Sequence, residues 1–258
     1  MIAWIESHDT PTVALLAFAL SYALAALIFV AAVAVSRRRI AAHVKATSPV
    51  MLTPLSVIAG LLIAFLASRV WTNFDHANAY AAEEASAIRE FTILAGALPN
   101  DERTSLGSAI KDYLHFVESL DWPAMKERRA SLKQAPPGLT EAMEILLSFV
   151  PAQPGQRLAQ QRAVVALERA SEARRDRIIL SQATIAPLQW IVVFILAALV
   201  LVTVAMVHVE RPATTALNRF VFSTAVGASP AILMVYDAPF AAGGNSVEPT
   251  VLRDIGLD

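Results

Sequence analysis

The chain has 258 residues, of which 56% are hydrophobic and 17% charged, with a net charge of -1 and no cysteine; its mean hydropathy is +0.52. Those values lie on the membrane side of ordinary soluble domains. They exclude a disulfide framework, a thiolate metal site and a cysteine nucleophile, and they argue against a nucleic-acid binder, which needs a basic face.

Four uncharged stretches organise the chain. No Asp, Glu, Lys or Arg occurs in 11–35, 46–68 or 178–207, and a shorter uncharged run covers 220–236. A bilayer core about 30 Å thick takes roughly 20 apolar helical residues, so the first three runs are long enough to span. The fourth reaches that length if it begins near Thr214 and Arg219 snorkels to the interface. Met1 to Thr10 holds Glu6 and Asp9 but no Lys or Arg, unlike a cleavable signal, so the first run is expected to be a retained span.

That span, about 12–35, stops at Ser36-Arg37-Arg38-Arg39, the kind of basic stop that marks a cytoplasmic end. A loop with His43 and Lys45 leads to the second span from about Pro49. In it Gly60, Ala64 and Ala67 recur at a spacing that lets helices approach closely in lipid. Beyond Arg69 there is no proline before Pro99 and no glycine before Gly96, and Ala, Glu and Arg dominate 77–90, all strong helix formers. One helix is therefore expected to run from the membrane into water, with Tyr80, Glu84, Ile88 and Phe91 on one face.

The middle reads as a helical bundle. Pro99-Asn100-Asp101-Glu102 opens a helix bearing Leu106, Ile110, Tyr113, Leu114 and Val117. Trp122-Pro123 begins a short helix to about Leu132, Pro136-Pro137-Gly138 is a turn, and Thr140 caps a helix carrying Met143, Leu146 and Phe149. From Arg157 a helix runs to about Ala183, with Leu158, Val165, Leu167 and Ile178 as expected buried positions, and feeds the third span past Pro187. Trp190 sits at the depth of an interfacial aromatic belt. Val207 to Pro212 is a tight link, so the third and fourth spans form a hairpin, and the segment after Tyr236 reads as a loop.

The expected class is all-α: four transmembrane helices, two plus two, flanking a helical extramembrane bundle. The divisions are 1–73 for the N-terminal hairpin, 74–184 for the bundle, 185–236 for the C-terminal hairpin and 237–258 for the tail. The short links and adjoining helix ends hold Arg37, Arg38, Arg39, Lys45, Arg211 and Arg219, whereas the N-terminal segment has no Lys or Arg and the tail only Arg253. By the positive-inside rule the links face the cytoplasm and the bundle lies on the non-cytoplasmic side of a bacterial inner membrane. Arg69 and the Arg174, Arg175, Arg177 cluster count the other way, but long domains weigh less in this rule.

No catalytic constellation, cofactor loop or metal-ligand spacing is present. The histidines His8, His43, His76, His115 and His208 are scattered. Asp75-His76 is the nearest thing to a reactive pair, yet neighbours on a helix do not face each other, and a surface turn is the simpler reading. Glu83-Glu84 reads as a cation-attracting ring in an oligomer or, more blandly, as a solvated face or an intersubunit ion pair. Arg69 is either a snorkelling residue or the lining of an anion path. Trp71, Phe74 and Tyr80 fit a hydrophobic neck as well as an interfacial belt.

Glu84-Ala85-Ser86-Ala87, Trp122-Pro123-Ala124-Met125, Glu172-Ala173-Arg174-Arg175-Asp176-Arg177 and Asp237-Ala238-Pro239-Phe240, taken in order, resemble the bestrophin-like domain family of bacterial integral membrane proteins over nearly the whole chain. Members carry a basic residue where Ala238 stands here, and a single glycine closer to the phenylalanine than Gly243-Gly244. The family is named for its likeness to bestrophins, pentameric anion channels whose second helix lines the pore and whose large helical part is cytosolic. The resemblance thus implies a homo-oligomer, a pentamer by that likeness, moving an inorganic ion. Candidate pore or neck residues are Gly60, Ala64, Ser68, Arg69, Trp71 and Glu84. The resulting expectation is a multi-pass inner-membrane ion channel with the lipid bilayer and its own copies as partners; the alternative is a non-conducting scaffold or envelope sensor that binds a partner through its helical domain.

Overall fold

In the computed structural model the described residues are 10–36, 52–207, 212–241 and 246–255, and they are helical with short connections. The helices are α1 (Thr10–Ser36), α2 (Leu52–Ala95), α3 (Asn100–Phe116), α4 (Trp122–Lys126), α5 (Pro137–Ser148), α6 (Pro154–Ser181), α7 (Pro187–Val207), α8 (Pro212–Tyr236) and α9 (Thr250–Arg253). A π-helical turn, Val117–Asp121, joins α3 to α4. The chain divides into two compact units: one holds the residues up to Thr72 with Thr184–Asp237, the other Asn73–Ala183 with Ala238–Ala242 and Ser246–Asp258. The basic links Arg37, Arg38, Arg39 and Lys45, and Arg211, lie outside the described residues.

The first unit contains α1, the start of α2, α7 and α8. Leu52–Ala95 and Pro187–Val204 contain stretches long and apolar enough to cross a bilayer, while Ala14–Ile28 and Ser223–Tyr236 are shorter apolar helices. α1 and α8 approach closely: a Cβ on Gly227 would sit 3.0 Å from Phe18 Cδ1, and the Tyr22 hydroxyl shares a 2.8 Å hydrogen bond with Thr224 Oγ1. A second apolar seam joins Leu66 and Val70 of α2 to Trp190 and Val193 of α7 and to Leu233 and Met234 of α8. The Asp237 carboxylate, buried at the end of α8, accepts a 2.8 Å hydrogen bond from the Ile185 backbone N–H.

The second unit is a helical bundle whose centre is rich in alanine. Ala77, Ala81, Ala85, Ala109, Ala142, Ala163, Ala166 and Ala170 are fully buried beside Ile88, Phe91, Leu106, Ile110 and Leu146. α6 ends at Ser181, close to the expected Ala183, and α7 begins at Pro187, with the proline at the first turn of the helix that follows the join. Proline lacks an N–H and drives the residue before it out of the α-region. Thr140 lies inside α5 rather than at its cap, because Pro137 starts that helix and Thr140 Oγ1 donates to the Pro136 carbonyl at 3.2 Å. The short helix after Trp122 ends at Lys126, not Leu132. The tail read as a loop contributes core: Phe240, Val247, Leu252 and Ile255 are buried in this unit.

Candidate functional site

The polar centre of the second unit is an ion-pair cluster shut off from solvent. α2 supplies Glu84, α3 Tyr113, the π-helical turn Asp121, α4 Trp122 and Met125, and α6 Arg174 and Arg177. Glu84 and Arg177 are wholly buried, and Arg174 and Asp121 nearly so. Arg177 forks onto Glu84, with Nε 2.7 Å from Oε2 and Nη2 3.0 Å from Oε1. Its Nη2 also lies 3.8 Å from Asp121 Oδ2, and its Nη1 donates to Met125 Sδ at 3.2 Å. Its guanidinium carbon Cζ lies over the Trp122 ring, 4.4 Å from the ring centre. Arg174 repeats the fork on Asp121, at 2.7 and 3.0 Å. Two carboxylates face two guanidiniums, so the cluster is neutral and its planar pairs are of the strong, bidentate kind.

The Tyr113 hydroxyl donates to Glu84 Oε1 at 2.5 Å. Burial, reinforced by the negative charge of Glu84, holds this phenol well above its ordinary value, so it stays a neutral donor. Burial works to discharge Arg177, but Glu84 at bonding distance outweighs it and the guanidinium is held more firmly protonated than usual. Such a cluster does not meet substrate. It fixes the register of five segments against one another, and its π-helical turn is what delivers Asp121 and Trp122 in succession to the two arginines.

The residues that carried the sequence resemblance meet here. Glu84, Trp122 and Met125 each contact Arg177, Arg174 joins them through Asp121, and Phe240 packs edge-on against Trp122 at 5.8 Å. The Trp122 indole N–H donates to the Val247 carbonyl at 3.1 Å. Tyr113 and Asp121 are members of the cluster that sequence reasoning missed. Tyr113 was legible only as an apolar helix position, and nothing in the spacing marks Asp121.

Gly60, Ala64, Ser68, Arg69 and Trp71 are exposed in the first unit, whereas Glu84 is enclosed in the second. Gly60 has open space where a Cβ would stand, and it borders an apolar crevice of about 180 Å³ with Ser56, Ile63, Val193, Ala197 and Ser229. Arg69 Nη1 lies 3.5 Å from Gln189 Oε1. Trp71 stacks on Tyr236 at 5.3 Å yet keeps 54% of its surface exposed. Asp75 and His76 lie on α2 rather than in a turn, with His76 stacked on Tyr80 at 5.7 Å. Among the described residues no group of three His, Asp or Glu is placed to hold a metal.

A family model described as Bestrophin-like domain matches residues 19–252. A solved structure of a bacterial bestrophin homologue from Klebsiella pneumoniae, bearing one substitution, superposes with a TM-score of 0.71 at 13% identity, covering 94% of this chain and 97% of its own. Two singly substituted structures of a membrane protein give TM-scores of 0.70 and 0.69 at 12% and 13% identity, covering 94% and 92% of this chain and 97% and 94% of theirs. At such identities the likeness is one of fold. A comparison with curated protein sequences gives no match.

Proposed function

We propose that this chain, which belongs to the bestrophin-like domain family, assembles as a closed homo-oligomer in the bacterial inner membrane and passes ions along a pore lined by α2. The observation that carries this reading is the match of both sequence model and fold to that family over nearly the whole chain. It is supported by α2 itself, a 44-residue helix on which Gly60, Ala64, Ser68 and Trp71 remain uncovered by the rest of the chain. Small residues at three- to four-residue spacing leave a lumen open, and a tryptophan one turn further supplies a constriction that gates by dewetting. Arg69 sits beside it as the charge an anion meets. Glu84 serves the path from behind, anchoring α2 through Arg177. In this reading four helices cross the bilayer, with α1 and α8 completing the pairs around α2 and α7.

Reconstitution into liposomes, with ion flux and particle mass measured on one preparation, tests this. Flux from a closed oligomer whose anion-to-cation ratio falls in Arg69→Ala, with assembly unchanged, is the expected result. Folded oligomers that pass neither chloride nor potassium would sink the channel and favour the scaffold or sensor that binds through the second unit.

A further inference from the structure

Resting on the reading of the chain as a ring of identical copies, we infer that the outward face of α2 in the second unit packs on the outward face of α6 of the next copy, Arg89 meeting Glu172 of that copy and Ile93 meeting its Val165. The unit leaves both faces bare. On α6, Leu158, Val165 and Ile179 are exposed by 60%, 48% and 56%, and on α2 Ile93 is exposed by 73%. Leu158, Val165 and Ile179 recur at multiples of seven residues, which keeps them on one stripe of a helix. Bulky apolar side chains aligned in this way on a water-facing helix mark a contact surface rather than a solvated one.

Charge selects the partner. Ala82, Ser86, Arg89 and Ile93 are exposed along α2, and Val165, Glu168, Glu172, Arg175 and Ile179 along α6. Arg89, Glu168 and Glu172 make no ion pair among the described residues of their own chain. In a ring whose axis follows α2, every copy stands at the same height. Packing α2 on α2 would then set Arg89 beside Arg89, and packing α6 on α6 would set Glu172 beside Glu172. The unlike pairing instead sets Arg89 against Glu172.

Height also sets the register. Within the chain α2 and α6 are antiparallel, with Arg177 paired to Glu84 and Arg169 Nη1 2.8 Å from Glu90 Oε2. Equal height in the ring transfers that register to the neighbour. Counting one α6 residue back for each α2 residue forward, position ~171 is level with Arg89, ~167 with Ile93 and ~178 with Ala82, at about 1.5 Å of rise per residue. Glu172, Val165 and Ile179 each fall within about 3 Å of those levels. The apolar and charged positions therefore coincide to within about 3 Å of rise.

The cysteine-free chain makes the test direct. A chain with Ile93→Cys and a differently tagged chain with Val165→Cys are expressed together, oxidised in membranes, and compared with each alone. The expected product is a disulfide-linked heterodimer, with a ladder up to ring size when both substitutions share one chain. In parallel, Arg89→Glu lowers the oligomeric fraction several-fold, and adding Glu172→Arg restores it. An oligomer of verified mass that forms no such heterodimer, or in which Ile93→Cys links only to itself, overturns the interface and leaves the ring intact. A monomer by mass removes the ring, and the interface with it.

Discussion

Arg177 is an ion held where water cannot reach it, and its partners determine what its removal would do. A guanidinium transferred alone into such a site would cost several kcal/mol, so its two bonds to Glu84, the contact with Asp121 and the face of Trp122 are conditions for the fold rather than additions to it. Glu84→Gln leaves that charge half-compensated and is expected to lower stability by about 3–5 kcal/mol, read as a shift in the denaturation midpoint. Combining it with Arg177→Met, which removes the stranded charge and keeps an unbranched side chain, is expected to recover much of the loss; additive losses in the double variant would show that the pair is not coupled. Tyr113 gives a pH test of the same cluster. Its pKa is raised by burial and then by Glu84, so the stability it contributes is fully present below its ordinary value near 10 and is lost as pH climbs through the raised one. The stability gap between the native chain and Tyr113→Phe should therefore narrow above pH 10, and a gap constant through that range would count against the neutral phenol.

The helices of the second unit pack closely because alanine and glycine occupy their contact lines. At the start of α5, a Cβ on Gly138 would collide with the Ala109 carbonyl and stand 2.6 Å from the Tyr113 backbone nitrogen. Gly138→Ala must therefore push α5 away from α3, and a loss of about 2 kcal/mol or more is expected from a denaturation curve; Gly107→Ala, with open space around it, serves as the control that should not destabilise. This packing style explains where the sequence was readable. The long α2, the start of α3 at Asn100 and the buried face of Glu84, Ile88 and Phe91 follow from periodicity and from the absence of breakers. Leu158 and Val165 were expected inside and are outside, while Ala159, Ala163 and Ala166 take the buried positions. Size ranks a residue's gain from burial, but where two helices come close only a small side chain fits, so hydrophobicity alone picks the wrong stripe. Glu84 and Arg177, 93 positions apart, are joined by tertiary structure that no local pattern encodes.

For the whole molecule the open quantity is orientation. Both units are set by packing that is the same whichever side of the membrane the bundle occupies, whereas orientation is decided during insertion, when Arg174 and Arg177 are not yet neutralised by Asp121 and Glu84. Their burial in the finished fold therefore cannot be used to discount them. What discounts them is the length of the domain they belong to: the rule acts on short segments, and those carry Arg37, Arg38, Arg39, Lys45 and Arg211 against Arg253 alone in the tail. The likeness to bestrophins implies the reverse, a cytosolic bundle. Alkaline-phosphatase fusions separate the two, since the enzyme is active only after export. Activity at Pro136 and none at Ala41 is the expected pattern. The opposite pattern would place the second unit in the cytoplasm, so that the three consecutive arginines after α1 had been exported, and would make the short-segment charge count a poor guide for this family.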